Sequence, residues 1–255
     1  MISLLVVLSS TLMNSSQAAQ QSSHYYSAIA KTFPKLIVFD LDMCLWSPEM
    51  YELEAVPDAR DVVIGALSRG EQGQQGVVGV RSGGETIRLF DDARSILRDF
   101  HQGAFPPDVR LAAASSADTS RAVAIGRAAM SLLEVVPGVT MRQVLARGWP
   151  ESFEGNLQIG RSPPLSSDKA ATHFPILQRV TGIKYHEMIF FDDCNWGDHV
   201  GNVERAHGVV GQRTPRGLTQ REFELCLRTY DLTYDLKAQR VGKHIESHTR
   251  LAGGM

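Results

Sequence analysis

Two acids stand two residues apart in "KLIVFDLDMCLW", residues 35–46, where Asp40 and Asp42 follow the apolar run Leu36, Ile37, Val38 and Phe39. Ionised carboxylates beside a core are costly unless something pairs with them. Other polar groups occupy similar places. Ser115 and Ser116 close a second apolar run, and Asp192 and Asp193 close a third, "MIFF". Lys169 stands at the approach to the segment that precedes this third run. Paired carboxylates at such a place are candidates for metal binding. Taken singly, each signal also has an ordinary reading: a capped turn, a helix cap, a solvated charge, turn chemistry. Together they come in one order, each at the end or the approach of an apolar run.

The elements that must position them are legible from periodicity. Residues 35–39, 109–116 and 187–193 read as strands buried on both faces. "DDARSILRDFHQ", 91–102, has Ala93, Ile96, Leu97 and Phe100 at helical spacing behind two Asp. Residues 118–136 read as a helix capped by Asp118. "THFPILQRVTG", 172–182, reads as a helix with Pro175 in its first turn and Gly182 at its end. "NLQIG" is a short strand in a loop-rich stretch, 147–168. "NVERAHG" and "VVGQRT" continue as helix and strand, and a helix or two follow. "VVGV" and "ETIRLF" flank "RSGG" as a β-hairpin. Strands alternating with helices predict an α/β fold: a three-layer, Rossmann-like parallel sheet with helices on both faces. In such sheets ligands bind beyond the carboxyl ends of the strands, where these acids lie.

The chain of 255 residues divides into an N-terminal extension (1–32), a main domain (33–220) and a helical tail (221–255). A net charge of −2 supplies no basic field for nucleic acid or an anionic membrane. Cys44, Cys194 and Cys226 are odd in number and far apart, which predicts free thiols in a reducing compartment. The N-terminal apolar run is too short for a comfortable membrane span. Small residues at Ser16 and Ala18 suit a signal-peptidase site, but no Lys or Arg precedes Lys31. The expectation is a cytoplasmic protein, with a secretory or organellar location if residues 1–19 act as a signal. The fold is expected to begin near Phe33.

The motifs "KLIVFDLDMCLW", "LAAASS", "KAATHFPILQRVTG" and "MIFFDD" resemble the haloacid dehalogenase-like superfamily of aspartyl-nucleophile phosphatases. More narrowly they resemble its magnesium-dependent phosphatase subfamily, the acid phosphatases. The likeness covers roughly residues 34–48, 85–130 and 157–215. The chain departs from that pattern at Ser116, where animal members carry Arg, and in "CNWGDHVGN" after the final acids. The N-terminal extension, the segment 137–168 and the tail after about 220 have no counterpart in that pattern.

The resemblance implies that Asp40 is the nucleophile and Asp42 the acid that protonates the leaving oxygen. It implies Mg²⁺ held by Asp40, the backbone carbonyl of Asp42 and Asp192, with Asp193 holding a ligand water or orienting Lys169. Substrate contacts fall to Leu41, Ser115, Ser116, Lys169 and Glu49. Ser116 is expected to offer its N–H from a helix start. Residues 70–90 become a small hairpin flap near the site, with no large cap domain. Trp46 is a packing or gating residue at the mouth. The implied substrate is a phosphorylated small molecule or phosphoprotein, an aryl phosphate such as phosphotyrosine or a phosphosugar on protein. No nucleic acid, stable membrane association or oligomer is expected.

Other readings stay open. A non-catalytic binding protein could keep the fold, and a serine/threonine protein phosphatase of the same superfamily shares Asp-x-Asp, although Cys44 stands where that group has Thr. His173 reads as a packing or capping residue, Cys44 as a small buried one, and the histidines of "HIESH", 244–248, as solvated.

Overall fold

The computed structural model describes residues 15–68 and 74–234. The apolar run near the N-terminus, within residues 1–14, and "HIESH", 244–248, lie outside the described residues, and with them the targeting and solvated-histidine expectations. Helix α1 (Ser15–Ile29) comes first, then strand β1 (Leu36–Phe39), whose four residues are all buried. Strands β2 (Trp46–Ser47), β3 (Val62–Ala66), β4 (Gln75–Ser82) and β5 (Glu85–Leu89) follow. Helix α2 (Asp91–Gln102) leads to β6 (Arg110–Ser115), and α3 (Ser120–Leu132) to β7 (Glu134–Val136) and β8 (Val139–Thr140). Next come α4 (Met141–Ala146), β9 (Leu157–Ile159), α5 (His173–Thr181) and β10 (Met188–Asp192). Helix α6 (His199–His207), β11 (Val210–Arg213) and a last helix, α7 (220–234), complete the chain described.

Five strands form one parallel sheet in the order β11-β10-β1-β6-β9. Alternate residues of each strand face opposite layers. Ile37, Phe39, Leu111, Ala113, Ile189 and Phe191 pack toward α1, α2, α3 and α7. Leu36, Val38, Ala112, Ala114, Met188 and Phe190 pack toward α5 and α6. The three-layer α/β expectation therefore holds. The chain runs outward from β1 to β6 and β9, then crosses back to β10 and β11. The reversal leaves a crevice beyond the carboxyl ends of β1 and β10, the switch point where such sheets bind ligands.

The expected hairpin is present, and its turn is the two residues Gly83 and Gly84, with Gly83 at φ +61°, a left-handed conformation that suits glycine. It is half of a larger unit, since β2 and β3 extend it into a four-stranded antiparallel sheet, β2-β5-β4-β3. Val80, Ile87 and Leu89 press that sheet onto the main core. No residue of β4 or β5 lines the cleft described below, so the expected flap is a buttress.

Four boundaries differ from the sequence reading. The helix predicted over 118–136 starts at Ser120, capped by Thr119 Oγ1 accepting from the Ala122 N–H at 3.0 Å. Its last residues turn into the β7–β8 hairpin, because "EVVPGV" carries β-branched residues and a Pro-Gly turn. The fold also does not begin at Phe33. Tyr26 on α1 is fully buried against Phe105 and Phe223, and its hydroxyl donates to Asp99 at 3.0 Å. Phe223, Cys226, Leu227 and Tyr230 bury α7 in the same layer, so the tail up to residue 234 belongs to the core. All three cysteines are free, as expected. No helix of the described residues is long and apolar enough to cross a membrane.

Candidate active site

β1 and β10 are neighbours in register, Phe39 opposite Phe191, so the residues that follow them meet as the ladder ends. Asp40 donates its N–H to Phe191 O at 2.8 Å and presents its carboxylate beside that of Asp192. Between them lies Lys169 Nζ, 2.9 Å from Asp40 Oδ1 and 2.6 Å from Asp192 Oδ2. Lys169 is only 1% exposed, anchored just before α5 by its carbonyl, which accepts from the Phe174 N–H. Asp193 completes the group: one carboxylate oxygen from each of Asp40, Asp192 and Asp193 lies within 4.8 Å of the others. Asp192 and Asp193 are held by the turn after β10. Cys194 N–H donates to Asp192 Oδ1 at 2.8 Å, and Asn195 N–H to Asp193 Oδ2 at 3.2 Å.

Asp42 is turned out of line by a tight loop. Leu41 O accepts from the N–H groups of Leu45 and Trp46, and Met43 sits at φ +52°, a left-handed conformation that a methionine rarely adopts. The loop sets Trp46 Nε1 2.8 Å from Asp42 Oδ1 and the Met50 N–H 3.0 Å from Oδ2. Trp46 is thus fully buried and holds an acid; it does not gate the mouth.

Residues 32–233 match the model of the family described as Acid Phosphatase. The chain belongs to that family. It is a phosphatase of the haloacid dehalogenase-like type, and the resemblance read from the motifs is established. No curated protein matches the chain.

In this phosphatase the cleft measures about 370 Å³ and brings together most of the residues singled out by sequence. Asp40, Asp42, Glu49, Ser115, Ser116, Lys169 and Asp193 line it. Asp192 lies behind them, fully buried. Leu41 does not line it: its side chain is buried in the core and its carbonyl is used by the turn. Ser116 is not at a helix start, because α3 begins four residues later at Ser120. Lys169 is paired with Asp40 and Asp192, so it is these two, and not Asp193, that orient it.

Burial and charge set the protonation states. Burial pushes Asp42 up to about 7, against the pull of the Met50 N–H and the Trp46 indole. Burial, then the neighbouring Asp192, pushes Asp193 up to about 6. Burial drives Asp40 well above the usual carboxylate range, against the pull of the Lys169 ammonium. Lys169 is held charged: burial disfavours its ammonium, but Asp192 and Asp40 together outweigh that cost and raise it. Burial drives the Cys44 thiol well up, which keeps it protonated and inert. His173 is fully buried, with Nε2 3.1 Å from both Ser115 O and Gly160 O, and burial lowers it to about 4. It is a neutral tie between α5 and the ends of β6 and β9, a packing role as predicted.

Tyr51, Asp118, Arg161, Trp196 and His199 line the cleft and were not read from the sequence as site residues. Trp196 is 73% exposed and donates Nε1–H to Glu49 Oε1 at 2.9 Å; Tyr51 meets its ring edge-on at 5.9 Å. A signal for Trp196 existed, since it lies in the loop directly after a strand-end acid pair. Asp118 was read as a helix cap, but Thr119 takes that task and leaves Asp118 free to approach Arg161.

Proposed function

We propose that this phosphatase hydrolyses phosphate monoesters with the help of Mg²⁺, through an aspartyl-phosphate on Asp40. The observation that carries the reading is the placement of two buried acids with different partners in one cleft. Asp40 is held against a buried ammonium, and Asp42, at about 7, is able to carry a proton near neutral pH.

The donor set fits a hard divalent cation. Three buried carboxylates converge within 4.8 Å with a single lysine between two of them, which leaves excess negative charge on oxygen ligands alone. Asp40, Asp192 and Asp193 would hold the ion. When bound, Mg²⁺ offsets the repulsion between a carboxylate nucleophile and a phosphate dianion.

The chain's own residues do the rest. An Asp40 oxygen attacks phosphorus, and the bond from phosphorus to the leaving oxygen breaks. Asp42 gives that oxygen its proton as the charge develops. Ser115 and Lys169 position the phosphoryl group beside Asp40. Water then attacks the phosphorus of the aspartyl-phosphate; Asp42 takes its proton, and Asp40 leaves as a free carboxylate. The open cleft, with Tyr51 and Trp196 at its mouth, suits aryl phosphates such as phosphotyrosine, or a phosphosugar on protein.

The test is hydrolysis of a phosphoester panel by wild type and Asp40→Asn, with and without EDTA, together with adduct formation by beryllofluoride. Turnover should fall to background in the variant and in EDTA, and only wild type should form the adduct. Full activity of Asp40→Asn, or in EDTA, would overturn the mechanism.

A further inference from the structure

The cleft is short of available positive charge. Asp42, Glu49, Asp118 and Asp193 line it together with Asp40, while Lys169 is 1% exposed and already shared by two acids. Arg161 is the one arginine lining the cleft among the described residues.

Its head is loosely held. Nη2 lies 3.4 Å from Asp118 Oδ2, beyond good hydrogen-bond length, and the two side chains are 45% and 33% exposed. An exposed pair so long contributes little, so the guanidinium can exchange Asp118 for another anion at small cost. Its base is fixed. The preceding residue, Gly160, donates its N–H to Ser115 O at 2.8 Å, and its carbonyl lies 3.1 Å from His173 Nε2. The loop after β9 is therefore pinned to the end of β6, and it carries a loosely paired planar fork into the cleft. Such a fork matches the paired oxygens of a carboxylate or phosphate.

We propose that Arg161 binds a second anionic group on the leaving part of the substrate, a carboxylate or a second phosphate, so that the cleft selects doubly anionic phosphomonoesters. The inference rests on the phosphatase mechanism above. The reacting phosphoryl group is placed by Asp40, Lys169 and Ser115, and the 370 Å³ cleft leaves room for a leaving group that reaches Arg161.

The experiment compares kcat/KM for phenyl phosphate, 4-carboxyphenyl phosphate and 1,4-phenylene bisphosphate. It uses wild type, Arg161→Gln, Arg161→Lys and Asp118→Asn. Calorimetry with benzylphosphonate and 4-carboxybenzylphosphonate, on Asp40→Asn with and without Arg161→Gln, gives a readout free of turnover. Wild type should favour the charged esters by about tenfold, the scale of a charge-assisted hydrogen bond. The two charged esters separate carboxylate from phosphate recognition. Arg161→Gln should bring the ratio near unity, Arg161→Lys should restore part of it, and Asp118→Asn should raise it about threefold by removing the internal competitor. An unchanged ratio in Arg161→Gln would overturn the inference alone. So would an equal loss for neutral and charged esters, which would put the guanidinium on the reacting phosphoryl group. No hydrolysis of any ester and no phosphonate binding would overturn the mechanism and this inference with it.

Discussion

Trp46 Nε1 donates to Asp42 Oδ1 at 2.8 Å from a fully buried indole. The bond opposes the upward push of burial on Asp42, so it tunes the acid as well as aiming it. Trp46→Phe keeps the ring and removes the donor. Asp42 should then titrate above 7, moving the alkaline limb of kcat/KM to higher pH. Hydrolysis of alkyl phosphates should drop about tenfold, the cost of one hydrogen bond to a charged group, and p-nitrophenyl phosphate less. A pH–rate profile with the two leaving groups checks it. Equal losses with an unmoved limb would show that the indole only packs.

Without a cation, Asp193 is pushed up to about 6 by burial and by Asp192, which means the acids resist ionising together. Millimolar Mg²⁺ should therefore raise the melting temperature, by about 5 °C if it stands at some hundred times its dissociation constant. The rise should shrink as pH falls through about 6, because the proton then competes with the ion. Asp193→Asn should reduce the rise. Thermal melts with Mg²⁺ and with EDTA at two pH values decide this.

His173 is neutral and buried at about 4, against 6.5 for the free side chain. The unfolded chain thus binds more protons between those values, and this group's stabilisation is complete above 6.5 and lost as pH falls toward 4. Between pH 7 and 5 it should cost about 2 kcal/mol. Asp42 and Asp193, both raised, act in the opposite direction over the same range. The readout is accordingly the difference between wild type and His173→Gln in urea unfolding at the two pH values with EDTA present. A difference that does not change with pH would contradict the buried neutral state.

Tyr26 ties α1 to the core through Phe105, Phe223 and the Asp99 carboxylate. Tyr26→Ala should destabilise by about 3–5 kcal/mol, as for other large aromatic truncations, and Tyr26→Phe by about 1 kcal/mol. Removal of residues 1–32 should behave at least as badly as Tyr26→Ala. Urea unfolding of the three proteins measures this, and a truncated chain as stable as the whole would show α1 to be dispensable.

The centre of the main sheet was legible because β1, β6 and β10 are buried on both faces. Such strands read as unbroken apolar runs, and "LIVF", "RLAAAS" and "MIFFD" need no partner to be recognised. The acids and serines were legible because they interrupt those runs at their ends. Thus the sequence alone determined an α/β fold, the strand ends whose polar residues gather in one cleft, and the family.

The rest depended on how the loops beyond those ends fold over one another. Glu49 and Trp196 are 147 residues apart and meet by a hydrogen bond; Asp118 and Arg161 meet across two strands. Met43 adopts a left-handed turn that no propensity assigns to methionine, and only that turn makes Trp46 the partner of Asp42. Local patterns record whether a residue is buried. They do not record which distant loop side chain it meets, because that is decided by the crossover that brings β10 back beside β1. The tertiary structure alone therefore decided that Leu41 turns inward, that Ser116 lies in a loop, and that Arg161 and Trp196 reach the cleft.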